Sequence, residues 1–355
     1  MDFSTKDIRN VTIAGHGQTG KTTLLEHLLF VSGVIPKPET TDSGKTVSDY
    51  SSEEIERKIS VYASLSHIEK NGKIINFWDT PGSADFVGEV ISAFRSSEAA
   101  TMLIDGRNGV QIETVKLWRD LDRRNKPRMI FINHAEDERA DVAAISKDVH
   151  DKFSVEVCQV TIPMNNSGKY EGVIDVLNGK AYFIPEDGKI ETPVDIPEEY
   201  QDEYQNALGI LAGSAAEGDD DLLVKFIDEG ELTSEEIAYG LKIALKNNRI
   251  VPSFCANVTA NSGLVPYLEF VAEIAPSPEG AIETAKTKED ETASVLVGAS
   301  DVMSALVVKT ASDRFSGKLS YIKVVNGSLH ADTEYWNIQD SRKEKIGKIY
   351  YYHGE

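Results

Sequence analysis

The stretch that decides the fold lies near the amino terminus, where residues 11–33 read VTIAGHGQTGKTTLLEHLLFVSG. Residues 11–15 form a short apolar run typical of a strand, and residues 21–33 carry leucines at helical spacing up to a glycine. Between them, Gly15-His16-Gly17-Gln18-Thr19-Gly20-Lys21-Thr22 fits the pattern G-x-x-x-x-G-K-[ST] without a mismatch. Backbone N–H groups of such a loop, together with the positive end of the helix dipole, surround phosphate groups. The stretch therefore predicts a phosphate-binding loop, and a glycine turn that merely caps a helix is disfavoured because strand, loop and helix are all in place.

The residues at the end of this motif have defined roles in phosphate chemistry. The Lys21 ammonium group would neutralise the β- and γ-phosphates of a nucleotide, and the Thr22 hydroxyl would coordinate Mg²⁺. Thr23 completes the predicted phosphate-binding set. His16 lies inside the loop, where we expect it to orient the backbone rather than to react.

A second acidic element, Asp79-Thr80-Pro81-Gly82, comes directly after the strand-like run INFW. A phosphate-loop protein needs a carboxylate here to hold the Mg²⁺ shell, and Gly82 is able to turn its backbone N–H toward a γ-phosphate. A turn of this composition is common by itself, so the argument depends on both motifs occurring together. Together they predict a nucleoside triphosphatase that senses its γ-phosphate.

The first 150 residues alternate between strand and helix patterns. Residues 61–79, VYASLSHIEKNGKIINFWD, have the pattern of a hairpin with Asn71-Gly72 at its turn. The runs TMLIDG (101–106) and RMIFIN (128–133) are typical of buried strands, and a helical pattern separates them. This rhythm predicts an α/β fold in which helices cover a mostly parallel sheet.

The formal net charge of −21 is concentrated in one stretch of the chain. Residues 186–236 contain 17 Asp or Glu against two Lys, in a pattern that indicates helices. The overall charge argues against binding nucleic acid by general phosphate neutralisation, while docking on a nucleoprotein through a local patch stays open. We interpret the acidic stretch as a separate module with a protein-contact or solubilising surface.

Other features of the composition indicate a soluble cytoplasmic protein. No apolar run approaches the ~18 residues of a membrane helix. The amino-terminal MDFSTKDIRN lacks the apolar core of a secretory signal. Cys158 and Cys255 lie in apolar, strand-like runs, which favours buried free thiols over a disulfide or a metal site.

The carboxy-terminal part has a different pattern. Residues 276–294, PSPEGAIETAKTKEDETAS, are polar, and we interpret them as a linker. After them, SALVVKTASD, KLSYIKVVNGSLH and EYWNIQD predict short strands of a β-barrel or sandwich, with a turn at Asn326-Gly327. The segment is short for a closed barrel, so we expect the chain to be a piece of a longer protein.

With these motifs in place, the chain resembles the translational GTPases and is most similar to elongation factor G, especially the divergent elongation-factor-G-like proteins. The resemblance covers about residues 8–355. It rests on the stretches GHGQTGKTTLLEHLL, SSEEIERKISV, DTPGSADFVGEV, DGRNGVQIETVKLWR, PRMIFIN and DRFSGKLSYIKVVNGSL. Together these stretches are far more specific than a phosphate loop alone.

The resemblance implies a domain organisation. Residues 1–275 would form a P-loop GTPase domain with a parallel-sheet core and an inserted α/β subdomain at about 160–250. Residues 276–292 would be a linker, and residues 293–355 would begin a second, β-barrel domain.

The resemblance also implies ligands and partners. GTP or GDP would bind with Mg²⁺, the metal held by Thr22, Ser60 and Asp79, and GTP would be hydrolysed on the ribosome. Lys21, Gly82 and the residue after Gly82 would act on the reacting phosphate. Ribosomal RNA and the ribosomal stalk proteins are the expected partners, because the insert lies near the stalk in relatives. We expect a cytoplasmic monomer without membrane contact.

The base-reading motifs depart from the family pattern. The family reads guanine with Asn-Lys-x-Asp, where this chain has Asn133-His134-Ala135-Glu136. Asn133 can still read the base edge, His134 can still stack, and Glu136 keeps the carboxylate but adds a methylene. The family's backbone contact to the guanine oxygen falls at Asn257-Val258, which is also changed. Since a bidentate base contact is worth about 1–3 kcal/mol, we expect reduced affinity or selectivity for guanine.

The hydrolytic motifs depart as well. Ser83 follows Gly82 where the family usually has the His that orients the attacking water. Losing one such group costs on the order of 10²–10³ in rate, so slow intrinsic hydrolysis is expected. The first switch has Arg57-Lys58-Ile59-Ser60 in place of Arg-Gly-Ile-Thr, and the Ser60 hydroxyl can still coordinate Mg²⁺. Gln18 stands where the family commonly has an acid.

Three functions are therefore weighed. The first is a GTP-hydrolysing translation factor that acts on the ribosome. The second is a nucleotide-binding regulatory or interaction protein with degenerate GTPase activity, motivated by Ser83, Glu136 and Asn257. The third is a phosphate-loop ATPase, which competition between ATP and GTP would separate.

Overall fold

The computed structural model describes residues 3–186, 188–286, 292–298, 300–313 and 317–350. Within them the chain has a mixed α/β fold: a central, mostly parallel sheet, a smaller antiparallel sheet and three antiparallel strand pairs. This confirms the fold class predicted from the alternation of strand and helix patterns.

The described helices and strands follow one another along the chain with few long connections. The helices are α1 Lys21–Val31, α2 Ser52–Arg57, α3 Val87–Ser96, α4 Ile112–Arg123, α5 Val142–Phe153, α6 Gln201–Ala216, α7 Asp220–Glu229, α8 Ser234–Lys246 and α9 Leu264–Glu273. The strands of the first 256 residues are β1 Ile8–Gly15, β2 Ser64–Lys70, β3 Lys73–Asp79, β4 Ala99–Asp105, β5 Arg128–Asn133, β6 Glu156–Gln159, β7 Thr161–Asn166, β8 Lys169–Asp175, β9 Lys180–Phe183, β10 Pro193–Val194 and β11 Ile250–Ala256. The later strands are β12 Ile282–Lys286, β13 Thr292–Leu296, β14 Ser304–Asp313, β15 Gly317–Asn326, β16 Glu334–Asn337 and β17 Arg342–Lys345.

The central sheet has the strand order β2-β3-β1-β4-β5-β11-β6. Only β2 runs antiparallel to its neighbour; the other pairs are parallel. Strands β4, β5 and β11 are buried along their whole length, as expected of parallel strands covered on both faces. The carboxyl ends of β1, β3, β5 and β11 therefore meet at one edge of the sheet, where ligands of such folds bind.

The predicted hairpin over residues 61–79 is confirmed by the pairing of β2 with β3. At its turn Asn71 and Gly72 both have positive φ, 51° and 71°. A two-residue turn of this kind matches the right-handed twist of the strands, and Asn and Gly are the residues that adopt it at low cost. The hairpin places Asp79 at the end of an inner strand, beside the phosphate loop.

Two apolar layers cover the faces of the central sheet. Helices α1 and α9 pack on one face, where the Tyr267 ring lies edge-on to Phe131 and Phe254 and its hydroxyl is 2.7 Å from Thr101 Oγ1. Helices α3, α4 and α5 cover the other face around the fully buried Trp118. Cys158 and Cys255 are buried free thiols, as predicted.

Residues 161–246, here called the insert segment, connect β6 to β11 of the central sheet. Strands β7 to β10 form an antiparallel sheet in the order β10-β9-β8-β7, and helices α7 and α8 pack on α6. The acidic helices predicted from the composition are present. Their outer faces are exposed, with Val224 at 59% and Ile227 at 72% of their maximal accessible surface.

The carboxy-terminal strands form three antiparallel pairs, β12 with β13, β14 with β15, and β16 with β17. The strands predicted from SALVVKTASD, KLSYIKVVNGSLH and EYWNIQD are confirmed, and Gly327 follows β15 with a φ of 65°. Strand β12 lies within residues 276–292, where a linker was predicted. Strand β12 and its partner β13 are exposed on one side, which accounts for the polar side chains there. Glu283 is the exception, because it takes part in a buried ionic contact with Lys323.

A buried ionic contact joins β15 to the central domain. The Lys323 ammonium group donates to Glu98 Oε1 at 2.6 Å and to Glu283 Oε1 at 2.9 Å. Arg95 pairs with the other oxygen of Glu283, and Asn10 Nδ2 donates to Glu98 Oε2 at 2.7 Å. Burial alone would lower the pKa of Lys323, but the two carboxylates raise it, so the amine stays charged.

We expect Lys323→Met to destabilise the chain by about 3 kcal/mol, because it leaves two carboxylates buried without their cation. Urea unfolding followed by circular dichroism measures the change. Lys318→Met on the same strand is the control, since residue 318 is exposed. Equal unfolding midpoints for the two variants would contradict the expectation.

A second contact joins β14 to residues near the nucleotide-sensing motifs. Lys309 Nζ donates to Ala63 O at 2.6 Å and to Glu89 Oε2 at 2.8 Å. The same carboxylate oxygen accepts from Ala63 N at 2.7 Å. Glu89 lies on α3, so β14 is in direct contact with this helix. Helix α3 begins at Val87, after the Asp79–Gly82 element, Ser83 and a short turn.

None of the helices in the described part of the chain is long and apolar enough to cross a membrane.

Candidate functional site

A polar cleft of about 730 Å³ opens at the carboxyl edge of the central sheet. Most of the residues predicted to bind nucleotide line it: His16, Gly17, Gln18, Gly20, Lys21, Thr22, Thr23, Ser60, Gly82, Ser83, Asn133 and His134. The other predicted residues do not line it: Gly15, Thr19, Asp79, Glu136, Asn257 and Val258. The fold thus brings the two phosphate motifs together around one cavity.

The conformation of the phosphate loop depends on a glycine and on hydrogen bonds to its own carbonyl groups. Gly20 has a φ of 94°, and a Cβ there would lie 2.6 Å from Asn133 Nδ2, so the position requires glycine. Lys21 Nζ donates to the carbonyl oxygens of Gly15 at 3.1 Å and His16 at 2.9 Å, and Thr19 Oγ1 also donates to His16 O. Burial lowers the pKa of Lys21 to about 8.

Gly82 approaches the phosphate loop closely. A Cβ on Gly82 would lie 2.6 Å from Lys21 Nζ and 2.8 Å from Gly17 N. Any other residue would push the two motifs apart. Glycine at this position therefore lets the backbone after Asp79 reach the end of the Lys21 side chain, where a γ-phosphate is expected.

Four oxygen-bearing side chains meet at the bottom of the cleft. Thr22 Oγ1 donates to Asp79 Oδ2 at 2.7 Å and lies 3.1 Å from Ser60 Oγ. Ser60 Oγ donates to Asp49 Oδ2 at 3.1 Å. The three residues predicted to hold Mg²⁺ are therefore neighbours, and Asp49 joins them.

The charge balance of this cluster suits a divalent cation. Asp49 and Asp79 are almost fully buried, and each keeps one carboxylate oxygen, Oδ1, without a hydrogen-bond partner among the residues that the structure describes. Burial raises the pKa of both carboxyl groups, and the charge of Asp79 adds to the rise at Asp49. Hydroxyl and carboxylate oxygens are the ligands that Mg²⁺ prefers, so the donor set fits this ion.

Ser83 sits at the rim, and its side chain is engaged in its own turn. Ser83 Oγ accepts from Asp85 N and donates to Asp85 Oδ2, both at 3.4 Å. Its short side chain caps the turn before α3. A serine held in this way has neither the reach nor the charge of an imidazole.

Asn133 joins the phosphate side of the cleft to the base side. Its Nδ2 donates to Thr19 O in the phosphate loop at 3.0 Å. Its Oδ1 accepts from His134 N at 2.8 Å and from Val258 N at 3.3 Å. Asn133 is 2% exposed, so its side chain fixes the position of the two loops around the expected base.

The changed base-reading residues lie close to one another. His134 has a φ of 60°, and its Nδ1 lies 3.5 Å from Glu136 Oε1. Asn257 and Val258 begin the base loop, here defined as residues 257–262, which lies beside Asn133. Asn257 Oδ1 accepts from Ala260 N and from the Thr259 hydroxyl, and Thr259 reaches the cleft wall.

The sequence patterns did not identify the residues that anchor the segment between α1 and β2. Asp49 lies in an irregular stretch without periodicity, and only the folded chain places it beside Ser60. Glu26 of α1, fully buried, accepts from Glu39 N at 3.1 Å and from Val47 N. Glu54 Oε1 accepts from Val61 N and Tyr62 N, both at 3.0 Å. These acids hold the stretch around Ser60 against the cleft.

The chain is similar to known proteins in sequence and in fold. The family model of the elongation factor Tu GTP binding domain matches residues 6–306. A crystal structure of a protein from Thermus thermophilus superposes with a TM-score of 0.85 at 26% sequence identity. The match covers 99% of this chain and 50% of that chain, so the chain spans about half the length of the solved protein.

Proposed function

Because the chain belongs to the family of the elongation factor Tu GTP binding domain, a family of GTPases, we propose that it binds and hydrolyses GTP as a translation factor on the ribosome. Within that family we place it with the elongation-factor-G-like proteins, on the stretches that carry this resemblance. One observation carries the proposal: Lys21, Gly82 and the Thr22–Asp79–Ser60 cluster meet in a single cleft.

In the proposed mechanism the phosphate loop and Lys21 bind the phosphates. Backbone N–H groups of the phosphate loop and the amino end of α1 surround the β-phosphate, and Lys21 donates to the β- and γ-phosphates. Thr22, Ser60 and Asp79 would hold Mg²⁺, with Asp49 beside them. The ion would neutralise charge on the phosphate oxygens.

Hydrolysis then breaks the bond between the γ-phosphorus and the oxygen that bridges it to the β-phosphate. Gly82 N–H donates to the γ-phosphate, and a water molecule attacks in line from the opposite side. Ser83 orients this water poorly, because its hydroxyl is already held by Asp85. We therefore propose slow intrinsic turnover and stimulation by the ribosome.

The switch between states follows from the same contacts. With GTP bound, Ser60 would help to hold the metal and the Gly82 N–H would donate to the γ-phosphate, so loss of the γ-phosphate would release both stretches. A short turn, Ala84–Phe86, joins Ser83 to helix α3, which begins at Val87, and we propose that the position of α3 changes with the bound nucleotide.

The acidic insert segment supplies a surface for partners. On α7, Val224 and Ile227 are exposed among acids that include Asp220, Asp221 and Asp228. Apolar side chains ringed by acids suit a basic protein surface with an apolar centre. On the resemblance to relatives we propose ribosomal stalk proteins as partners of this surface, with contact to ribosomal RNA elsewhere on the chain. We propose a cytoplasmic monomer.

The proposal is tested by multiple-turnover hydrolysis of GTP by the natural full-length protein, with and without ribosomes. We expect low turnover alone and stimulation by ribosomes. Absence of stimulation at saturating ribosomes would exclude action on the ribosome. Competition of GTP, GDP, XTP and ATP for the 355-residue chain, measured by calorimetry, tests the base pocket; equal weak binding of all four would mean that it does not read guanine.

The hydrogen bonds of Ser83 to Asp85 favour a second candidate, a nucleotide-binding interaction protein without useful hydrolysis. It predicts tight GTP binding and no phosphate release on any partner. Detection of single-turnover phosphate release in the ribosome complex would exclude this candidate.

A further inference from the structure

The insert segment contacts the end of the base loop and the start of α9. Residues on β8 and in the stretch after β9 reach back to residues 261–265. These contacts lie outside the nucleotide motifs. They nevertheless touch the loop in which Asn257 and Val258 are expected to meet the base.

The strongest contact is made by Glu191. Its Oε2 accepts from Gly263 N at 2.8 Å and its Oε1 from Val265 N at 2.7 Å. Val265 lies in the first turn of α9, whose first residues lack partners within the helix, and Gly263 is the residue directly before that helix. Gly263 precedes the helix with a φ of 83°, and a Cβ there would lie 2.5 Å from Cys255 O. Since this position must be glycine, it has no side chain for capping, and Glu191 supplies the acceptor from the insert segment.

Two further contacts from the insert segment hold neighbouring residues of the loop. Tyr170 OH on β8 is 3.0 Å from Ser262 Oγ. Asn261 Nδ2 donates to Lys189 O at 3.3 Å, while its Oδ1 is 2.7 Å from His27 Nδ1 on α1. Asn261 is thus held between the insert segment and the helix of the phosphate loop.

The base loop connects these contacts to the nucleotide cleft, because hydrogen bonds join its two ends. Asn257 N donates to Ser262 O and Ser262 N donates to Asn257 O, both at 3.1 Å. The bridge fixes Asn257 and Val258 relative to Ser262 and Gly263. On the cleft side, Val258 N reaches Asn133 Oδ1 at 3.3 Å. Displacement of Gly263 would therefore displace the backbone at Val258.

The burial of Glu191 has an energetic cost that the contacts must offset. Its side chain is 3% exposed, and burial raises the pKa of Glu191 to about 7, against the effect of the N–H donors of residues 263–265. A buried acid is tolerated only where donors satisfy it.

We infer that Glu191 is a positioning residue for base recognition, and that through it the insert segment sets the affinity for guanine. The inference rests on the proposed function, because it takes the Val258 N–H, which in this structure lies 3.3 Å from Asn133 Oδ1, as the group that donates to the guanine 6-oxo group once the base is bound. The stretch around Glu191 and the base loop would then move together. A partner that displaces the stretch around Glu191 would speed the release of nucleotide.

The test compares two ligands of the 355-residue chain, GTP and the triphosphate of 2-aminopurine riboside, which keeps the 2-amino group and lacks both the 6-oxo group and the N1–H of guanine. We expect Glu191→Gln to weaken GTP binding about tenfold and to speed GDP dissociation by a similar factor, because the amide replaces one acceptor with a donor. Binding of the 2-aminopurine nucleotide should change less than about twofold. Glu191→Asp should give an intermediate effect.

Glu198→Gln is the matched control, since it removes the same charge from an exposed position near the same stretch. If Glu191→Gln does not fold, Tyr170→Phe removes only a hydroxyl from the same support and should shift the GTP preference in the same direction by about twofold to threefold. A purely structural role would lower stability and leave the ratio of the two affinities unchanged, and that outcome would overturn the inference. If the unchanged chain itself does not prefer GTP to the 2-aminopurine nucleotide, the proposed base pocket has failed instead.

Discussion

Replacement of Lys21 by alanine is expected to weaken GTP binding by about 10²–10³-fold, the loss that follows from leaving a buried anionic group without its cation. Lys21 Nζ is held by Gly15 O and His16 O and lies where a Cβ of Gly82 would fall. It therefore stands between the two motifs that must both contact the γ-phosphate. Calorimetry with GTP in the presence of Mg²⁺ measures the effect.

Lys58→Ala is the control for this experiment. Lys58 lines the same cleft, but its side chain is 59% exposed and pairs with Asp42 at 3.0 Å. Removing it lowers the positive charge by the same amount, and we expect less than about a threefold change. If Lys21→Ala and Lys58→Ala weaken binding equally, the cleft attracts nucleotide by its general charge and the assigned role of Lys21 is wrong.

Replacement of Ser83 by histidine is expected to raise the single-turnover rate of GTP hydrolysis by about 10- to 100-fold. The imidazole would reach beyond the turn that now holds the serine hydroxyl, and it would orient the attacking water. A group of this kind contributes on the order of 10²–10³, of which a new residue in an unadapted site would recover part. Release of labelled phosphate at saturating GTP measures the rate, and GTP affinity should stay within about threefold.

Ser83→Ala distinguishes two explanations for the wild-type rate. If Ser83 only caps its turn, as its hydrogen bonds with Asp85 indicate, alanine should change hydrolysis less than about threefold. A loss near 10²-fold would show that the serine hydroxyl itself orients the water. In that case the histidine variant would lose a catalytic group, and no gain would be seen.

The phosphate side of the site could be predicted because each part has a local signal. The loop motif requires a strand before it and a helix after it, and the Asp79 element ends a strand beside it in the sheet. The parallel sheet then brings both to one edge. Residues such as Lys21, Thr22 and Gly82 are therefore identifiable from the sequence alone, although their ligand roles stay predictions.

The rest of the site depends on contacts between residues far apart in the chain. Asp49 reaches Ser60 because Glu26 of α1 holds the stretch before it at Glu39 and Val47, and Glu54 holds the stretch after Ser60 at Val61 and Tyr62. Glu191 lies more than 70 residues from the helix that it caps. Neither acid has a sequence signature, since one acid in an acidic or irregular stretch resembles its neighbours. The strand β12 was missed for a different reason: its partner β13 follows soon after it in the chain, but the polar composition of β12 resembles that of a linker.

The contact of Lys309 with Glu89 and Ala63 has a thermodynamic consequence. If α3 has different positions with GTP and with GDP, the two nucleotide states differ in the free energy of this contact with β14. The coupling between two binding sites is reciprocal. If GTP changes the affinity of the chain for a macromolecule that holds β14 in one position, that macromolecule changes the affinity of the chain for GTP by the same factor. The affinity of the carboxy-terminal strands for such a macromolecule would then depend on which nucleotide is bound. Binding of the macromolecule would in turn change the affinity for the nucleotide.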